Sequence, residues 1–190
     1  MSAVAASSGF TETASALRRL YFVRFAFAIV WALVMFTMAE EISPAGAALL
    51  VLYPLFDVAA AVVDARASRL TGAPGTPVLL YVNMAVSLAA AVGVGVACAS
   101  GIPAVLQVWG VWAIVSGLVQ LIVAVPRRKL GGGQWPMIFS GGISVLAGAS
   151  FVASAGADDP ALTSAIGYAV PGGIFFLVSA LRLGRAAEQD

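Results

Sequence analysis

Charged side chains are rare in this chain, and two of them lie inside long apolar stretches. Arg24 falls in the first such stretch and Asp57 in the second. A charge inside a membrane costs at least about 2.5–3.5 kcal/mol on insertion scales, so it usually faces protein and has a partner. We predict a buried Arg24–Asp57 ion pair, which either specifies the fold or belongs to a transport site. The alternative is that Arg24 extends to the lipid headgroups while Asp57 bonds a neighbouring hydroxyl or backbone group.

Polar residues recur at matching positions in the later apolar stretches. They are Asn83, Ser116 and Ser140. If they lie at one depth in a helical bundle, they line a polar patch near its axis. This arrangement predicts a binding site or a proton path; the alternative is three interhelical hydrogen bonds that fix the packing.

Four carboxylates lie between apolar stretches, where they would face water. They are Glu40, Glu41, Asp158 and Asp159. Because the chain has no histidine, carboxylates are its only candidates for sensing acid. The alternative is that they act as helix caps and solvated loop charges.

Other common kinds of functional site are missing from the sequence. The single cysteine, Cys98, and the lack of histidine exclude an intrachain disulfide and a Cys/His zinc site. No nucleophile–base arrangement or phosphate-binding loop is present, so we expect no enzyme activity, no metal and no cofactor. The net charge of +1 leaves no footprint for nucleic acid. The expected partners are the lipid bilayer and either a second copy or another membrane protein.

The elements that position these residues follow from composition. The chain is 61% hydrophobic and 10% charged, whereas a soluble domain has roughly 25% charged residues. Apolar runs of about 20 residues, long enough to cross a bilayer, predict six helices. They cover approximately 20–39, 46–65, 78–99, 104–125, 136–155 and 161–181. We expect a disordered tail at 1–17, a transmembrane domain at 18–185 and a short tail at 186–190.

The six predicted helices form three tandem two-helix repeats, covering about 20–69, 78–129 and 135–185. Each repeat has a proline in its turn and an aromatic residue four positions before its second polar site: Pro44 and Tyr53, Pro103 and Trp112, Pro160 and Tyr168. Self-similarity at a fixed period identifies the structural unit. The fold class is therefore an all-α integral membrane protein with a pseudo-threefold bundle. Small residues four apart on the odd-numbered helices, such as Ser87, Ala91 and Gly95, predict that those three helices form the central contacts.

Basic residues fall on one side of the predicted spans. They are Arg18, Arg19, Arg66, Arg69, Arg127, Arg128, Lys129, Arg182 and Arg185. Short loops rich in lysine and arginine stay in the cytoplasm. We therefore expect a multi-pass protein of the bacterial inner membrane with both termini cytoplasmic.

Several segments resemble the HdeD-like membrane proteins. They are residues 111–117, 166–173 and 176–183 and the stretch from Trp135 to Gly148. Arg24 and Asp57 also fall where such proteins tend to carry an arginine and an aspartate. The resemblance covers roughly residues 20–185, is clearest in the third repeat and departs at Pro54 and Phe56. It implies this fold and a role in acid resistance, and it brings no catalytic residues.

Two hypotheses for function follow. The first is a non-enzymatic HdeD-like protein acting in envelope or acid-stress tolerance. The second is a small transporter or channel with a polar site near Arg24, Asp57, Asn83 and Ser116. A hydrated cavity at those residues favours transport, and a dry packed centre favours the first hypothesis.

Overall fold

Six α-helices make up the fold in the computed structural model, which describes residues 2–70, 76–125 and 134–187. The helices are α1 (Ser2–Phe36), α2 (Pro44–Leu70), α3 (Thr76–Ala97), α4 (Ile102–Ala124), α5 (Gln134–Ser154) and α6 (Thr163–Ala187). A single 3-10 turn, Cys98–Ser100, follows α3. Each helix contains an apolar segment of 20 to 24 residues, long enough to span a bilayer. The six predicted spans are confirmed as helices of this kind.

The first helix is longer than the sequence analysis predicts. It begins at Ser2, so residues 2–17 are helical rather than a disordered tail. Alanine, which has the highest helix propensity, is frequent there, and no proline interrupts the chain before Pro44. Extending an existing helix costs far less than nucleating a new one. The last helix likewise continues to Ala187, through the start of the predicted tail at 186.

The helices form a closed ring in chain order, with α6 returning to α1. The most extensive packing joins α2 to α3, α4 to α5 and α6 to α1, whereas the two helices of each predicted hairpin share smaller contacts. The prediction that α1, α3 and α5 form the central contacts is wrong, because each odd-numbered helix packs mainly on an even-numbered neighbour. The small residues allow close packing within those pairs. The ring encloses a central space.

Glycines set the closeness of the α4–α5 pair. A Cβ added to Gly148 would lie 2.5 Å from the carbonyl oxygen of Gly110, and one added to Gly110 would lie 2.6 Å from that of Gly148. Gly117 and Gly141 meet in the same way, at 2.7 and 3.0 Å. Because any side chain there would overlap the facing backbone, these glycines let two antiparallel helices touch along their length.

The bundle has two different ends. We call the end with Arg18, Arg66 and Arg182 the basic end, and the end with Glu40 and Asp158 the acidic end. Large buried side chains fill the half of the bundle nearer the acidic end, among them Met35, Leu50, Val105, Leu106 and Ile166. The hollow part of the ring is therefore confined to the other half.

Candidate site: a polar cavity inside the helix ring

A cavity of about 190 Å³ lies inside the ring. Its wall includes all five of the predicted intramembrane polar residues, namely Arg24, Asp57, Asn83, Ser116 and Ser140. It extends toward the basic end, where Asp64, Leu79 and Ala124 line it. Toward the acidic end it stops at four aromatic side chains, which we call the aromatic layer: Tyr53, Trp109, Trp112 and Tyr168. The cavity is thus a one-sided pocket that ends near the middle of the bundle.

Ring contacts join three members of the aromatic layer, Tyr53, Trp109 and Trp112, and Tyr168 packs on the Phe151 ring. The Trp109 ring lies 5.4 Å from that of Tyr53 and 5.5 Å from that of Trp112, centroid to centroid. On its far side Trp109 stacks on Trp31, whose Nε1 donates a 2.7 Å hydrogen bond to the carbonyl oxygen of Leu49. Aromatic pairs at such distances stabilise beyond their buried area. The layer is therefore a firm floor between the cavity and the packed half.

Asp57 is the centre of the polar network in the cavity wall. Its Oδ1 forms an ion pair with Arg24 Nη2, as the sequence predicts. Its Oδ2 accepts hydrogen bonds of 2.8 Å from Asn83 Nδ2 and 2.8 Å from Ser87 Oγ. Ser87 Oγ in turn accepts a 3.0 Å bond from Trp112 Nε1. One carboxylate therefore connects α1, α2 and α3 directly, and α4 through Ser87.

Arg24 has a second contact besides Asp57. Its guanidinium lies 4.7 Å from the centroid of the Phe176 ring on α6, within the range of a cation–π interaction. The structure does not show the alternative in which Arg24 extends to the lipid headgroups, because the Arg24 side chain is only 13% exposed. Arg24 thus links α6 to the same network.

The third repeat makes the same kind of bond as the second. The Tyr168 and Ser144 hydroxyls are hydrogen-bonded, and Ser144 Oγ also contacts the carbonyl oxygen of Ser140. Ser144 and Tyr168 hold the positions in repeat three that Ser87 and Trp112 hold in repeat two. In the first repeat the serine position is Ala28, and Tyr53 packs instead on the Phe27 ring. An aromatic side chain hydrogen-bonded to a serine is therefore a feature of two repeats.

Two polar atoms of the cavity residues have no hydrogen-bond partner within the described part of the chain. They are Trp109 Nε1 and Ser116 Oγ. The Trp109 side chain is 2% exposed, and its indole nitrogen can only donate. A buried donor without an acceptor costs about 1–3 kcal/mol. An acceptor atom from a bound molecule would remove this cost.

The sequence predicted which residues line the cavity more accurately than it predicted their hydrogen-bond partners. Asn83 bonds Asp57 on the neighbouring helix, whereas Ser116 Oγ has no hydrogen-bond partner among the described residues, so the structure shows only part of the alternative of three interhelical hydrogen bonds. Ser87 and Trp109 are missed as site residues. The signal for Ser87 was its match to Ser144, and that for Trp109 was its spacing one helical turn before Trp112.

The four candidate acid-sensing residues do not reach this cavity. Glu40, Glu41, Asp158 and Asp159 are exposed at the acidic end. Ser43 caps α2 through a 3.1 Å hydrogen bond from the Gly46 backbone N–H. The acid-sensing role of the four carboxylates stays a prediction. The predicted basic residues Arg127, Arg128 and Lys129 lie outside the described residues.

The six long apolar helices are typical of a multi-pass helical membrane protein. Residues 78–153 match a membrane-associated family described as "Short repeat of unknown function (DUF308)". The matched segment covers α4 and nearly all of α3 and α5, which is less than half of the chain. Comparison with curated proteins and with solved structures gave no match.

Proposed function

We propose that this protein is a small transporter that binds its solute in the central cavity. The observation that carries the proposal is a cavity of about 190 Å³ lined by polar residues, among them Trp109 and Ser116, whose buried Nε1 and Oγ atoms have no hydrogen-bond partner among the described residues. Ligand sites are mostly apolar pockets with a few convergent polar groups, and in helical membrane proteins they lie between helices near the bilayer midplane. Arg24 and Asp57 form an ion pair in the wall, and Asp64 also lines the cavity toward the basic end.

The proposed architecture and location support this function. The three hairpins are related by a pseudo-threefold axis that passes through the cavity, and the protein lies in the bacterial inner membrane with the basic end and both termini in the cytoplasm. The cavity then faces the cytoplasm in the observed state. Transport requires a second state in which the smaller contacts within hairpins open toward the acidic end.

A cysteine at position 116 tests both the cavity and its orientation. In a Cys98→Ala background, Ser116→Cys is expected to react with a cationic methanethiosulfonate reagent quickly in inverted inner-membrane vesicles. It is expected to react more slowly in intact cells, because alternating access exposes the site to each side in turn. The extent of labelling is measured from the increase in mass of the purified protein.

A matched control separates cavity access from depth. Ala180→Cys lies nearer the basic end than position 116, but its side chain is fully buried outside the cavity. It is expected to stay unlabelled in both preparations. If cysteine 116 is also inert, the cavity is closed to water and the transport proposal fails. Reaction in inverted vesicles but not in intact cells would show a protein that binds its solute from one side and does not transport it.

Acid-stress tolerance is the second proposed role, which rests on the HdeD-like resemblance and on four exposed carboxylates at one end. Like charges in short loops repel, and protonation relieves that repulsion. Replacing Glu40, Glu41, Asp158 and Asp159 by their amides is expected to mimic the acid-adapted state at neutral pH. The measurement is survival at low pH of a deletion strain carrying either form. Equal protection by both, with no conformational difference at neutral pH, would remove these carboxylates as a trigger.

A further inference from the structure

A second hollow lies on the outside of the ring, where α3 and α4 meet. It is an apolar groove of about 370 Å³ lined by Val86, Ala89, Ala90, Val108, Val111 and Val115, with Gln107 and Trp112 completing its wall. Val111 is 56% exposed. In a chain that spans a bilayer, an exposed apolar groove on the outer surface faces the lipid acyl chains. Molecules dissolved in the membrane therefore have direct access to it.

Trp112 separates this groove from the central cavity. It is the single residue that lines both hollows among the described residues. At Trp112 the groove and the cavity share a wall residue, and α3 packs less extensively on α4 than on α2. A change in the Trp112 rotamer is therefore the smallest movement that would join lipid and cavity.

The position of Trp112 depends on the polar network of the cavity. Its Nε1 donates to Ser87 Oγ at 3.0 Å, and Ser87 donates to Asp57 at 2.8 Å. A ligand that competes for Asp57 or Ser87 would weaken the bond that holds the indole.

We propose that Trp112 is a lateral gate through which an amphipathic solute passes between the lipid and the central cavity. This inference rests on the proposed transport function and names the class of its substrate. The solute has an apolar body, because the entry groove is apolar. It has a hydrogen-bond acceptor, because the cavity residues Trp109 and Ser116 each have a buried polar atom without a hydrogen-bond partner among the described residues. The solute is about the size of one benzene ring, because the cavity has a volume of about 190 Å³ and an engineered cavity of roughly 150 Å³ in another protein holds benzene.

The test compares two thiol reagents on the Ser116→Cys variant in the Cys98→Ala background. Benzyl methanethiosulfonate dissolves in lipid and reports the lateral route, whereas the cationic reagent in inverted vesicles reports the aqueous mouth. Ser87→Ala releases Trp112 and is expected to raise the benzyl rate by about fivefold, the factor for one net hydrogen bond. The cationic rate is expected to stay unchanged. Ser154→Ala, which removes a hydroxyl that lines neither hollow, is expected to change neither rate.

Filling the groove provides the opposite change. Ala89→Phe places a ring in the groove and is expected to lower the benzyl rate several-fold without affecting the cationic rate. Ala85→Phe is the matched control, because Ala85 is exposed on the same helix but does not line the groove. Both positions are exposed, so neither substitution disturbs the packed core.

The outcomes distinguish this inference from the proposed function. If the cationic reagent labels the Ser116→Cys variant but neither Ser87→Ala nor Ala89→Phe changes the benzyl rate, the lateral gate is wrong and aqueous access stands. If Ser87→Ala raises both rates alike, the variant has loosened the bundle and the gate is also overturned. If neither reagent reacts, the transport proposal itself fails.

Discussion

Gly148→Ala is expected to destabilise the protein by about 2–3 kcal/mol, at the upper end of the usual range for overpacking. The added Cβ would lie 2.5 Å from the carbonyl oxygen of Gly110, so relief requires a shift of one whole helix. The α4–α5 pair is among the most extensive contacts in the bundle. Thermal unfolding of the purified protein in detergent, or its denaturation by sodium dodecyl sulfate, measures the loss.

Gly142→Ala on the same helix is the control for this result. A Cβ at Gly142 meets nothing within 4 Å, although the neighbouring Gly141 would contact the backbone of Gly117 at 3.0 Å. Because alanine is the better helix former, Gly142→Ala is expected to be neutral or slightly stabilising. Equal losses for Gly142→Ala and Gly148→Ala would show that helix propensity, and not close packing of α4 on α5, controls the stability.

The sequence was informative where one physical requirement dominated. The length of each apolar run is set by the bilayer, so six spans could be predicted within a few residues at most ends. Arg24 and Asp57 could be paired because a lone charge among apolar residues is costly. Their repeat equivalents, Asn83 and Ser140, then pointed to the same cavity.

Details that depend on helix neighbours could not be predicted in this way. The glycine spacing on α4 resembles that on α5, but spacing alone does not say which helix is the partner. The role of Ser87 depends on the rotation of α3, which places its hydroxyl between Asp57 and Trp112. The floor of the cavity likewise required Trp109 to stack on Trp31 from another repeat.

The length of α1 shows a different limit. Residues 2–17 are small and partly polar, which suggested disorder, yet their many alanines allow the first span to continue as helix. Local composition could not decide between these states, because the span that follows supplies the nucleus for the extended helix.

The Arg24–Asp57 pair is the second contact for which a large effect is expected. Arg24→Met leaves a carboxylate largely inside the bundle, only 22% exposed, and is expected to cost about 3 kcal/mol, the lower figure for breaking a buried pair. Asp57→Asn leaves the guanidinium unpaired and is expected to cost a similar amount, although the Asn83 and Ser87 bonds can persist to the amide oxygen. The double variant, which leaves no buried charge, is expected to be more stable than either single one.

A double-mutant cycle on unfolding free energies in bicelles measures this coupling, which is expected to be about 2–3 kcal/mol. The control cycle combines Arg24→Met with Ser154→Ala. Ser154 is partly buried near the acidic end of α5, and its hydroxyl bonds only the Ser150 carbonyl oxygen among the described contacts. That cycle should be additive to within about 0.5 kcal/mol, the usual limit for independent sites. Additive losses for Arg24 and Asp57 as well would mean that the ion pair does not hold α1 against α2, and that the wall of the cavity is stabilised by the hydrogen bonds from Asn83 and Ser87 instead.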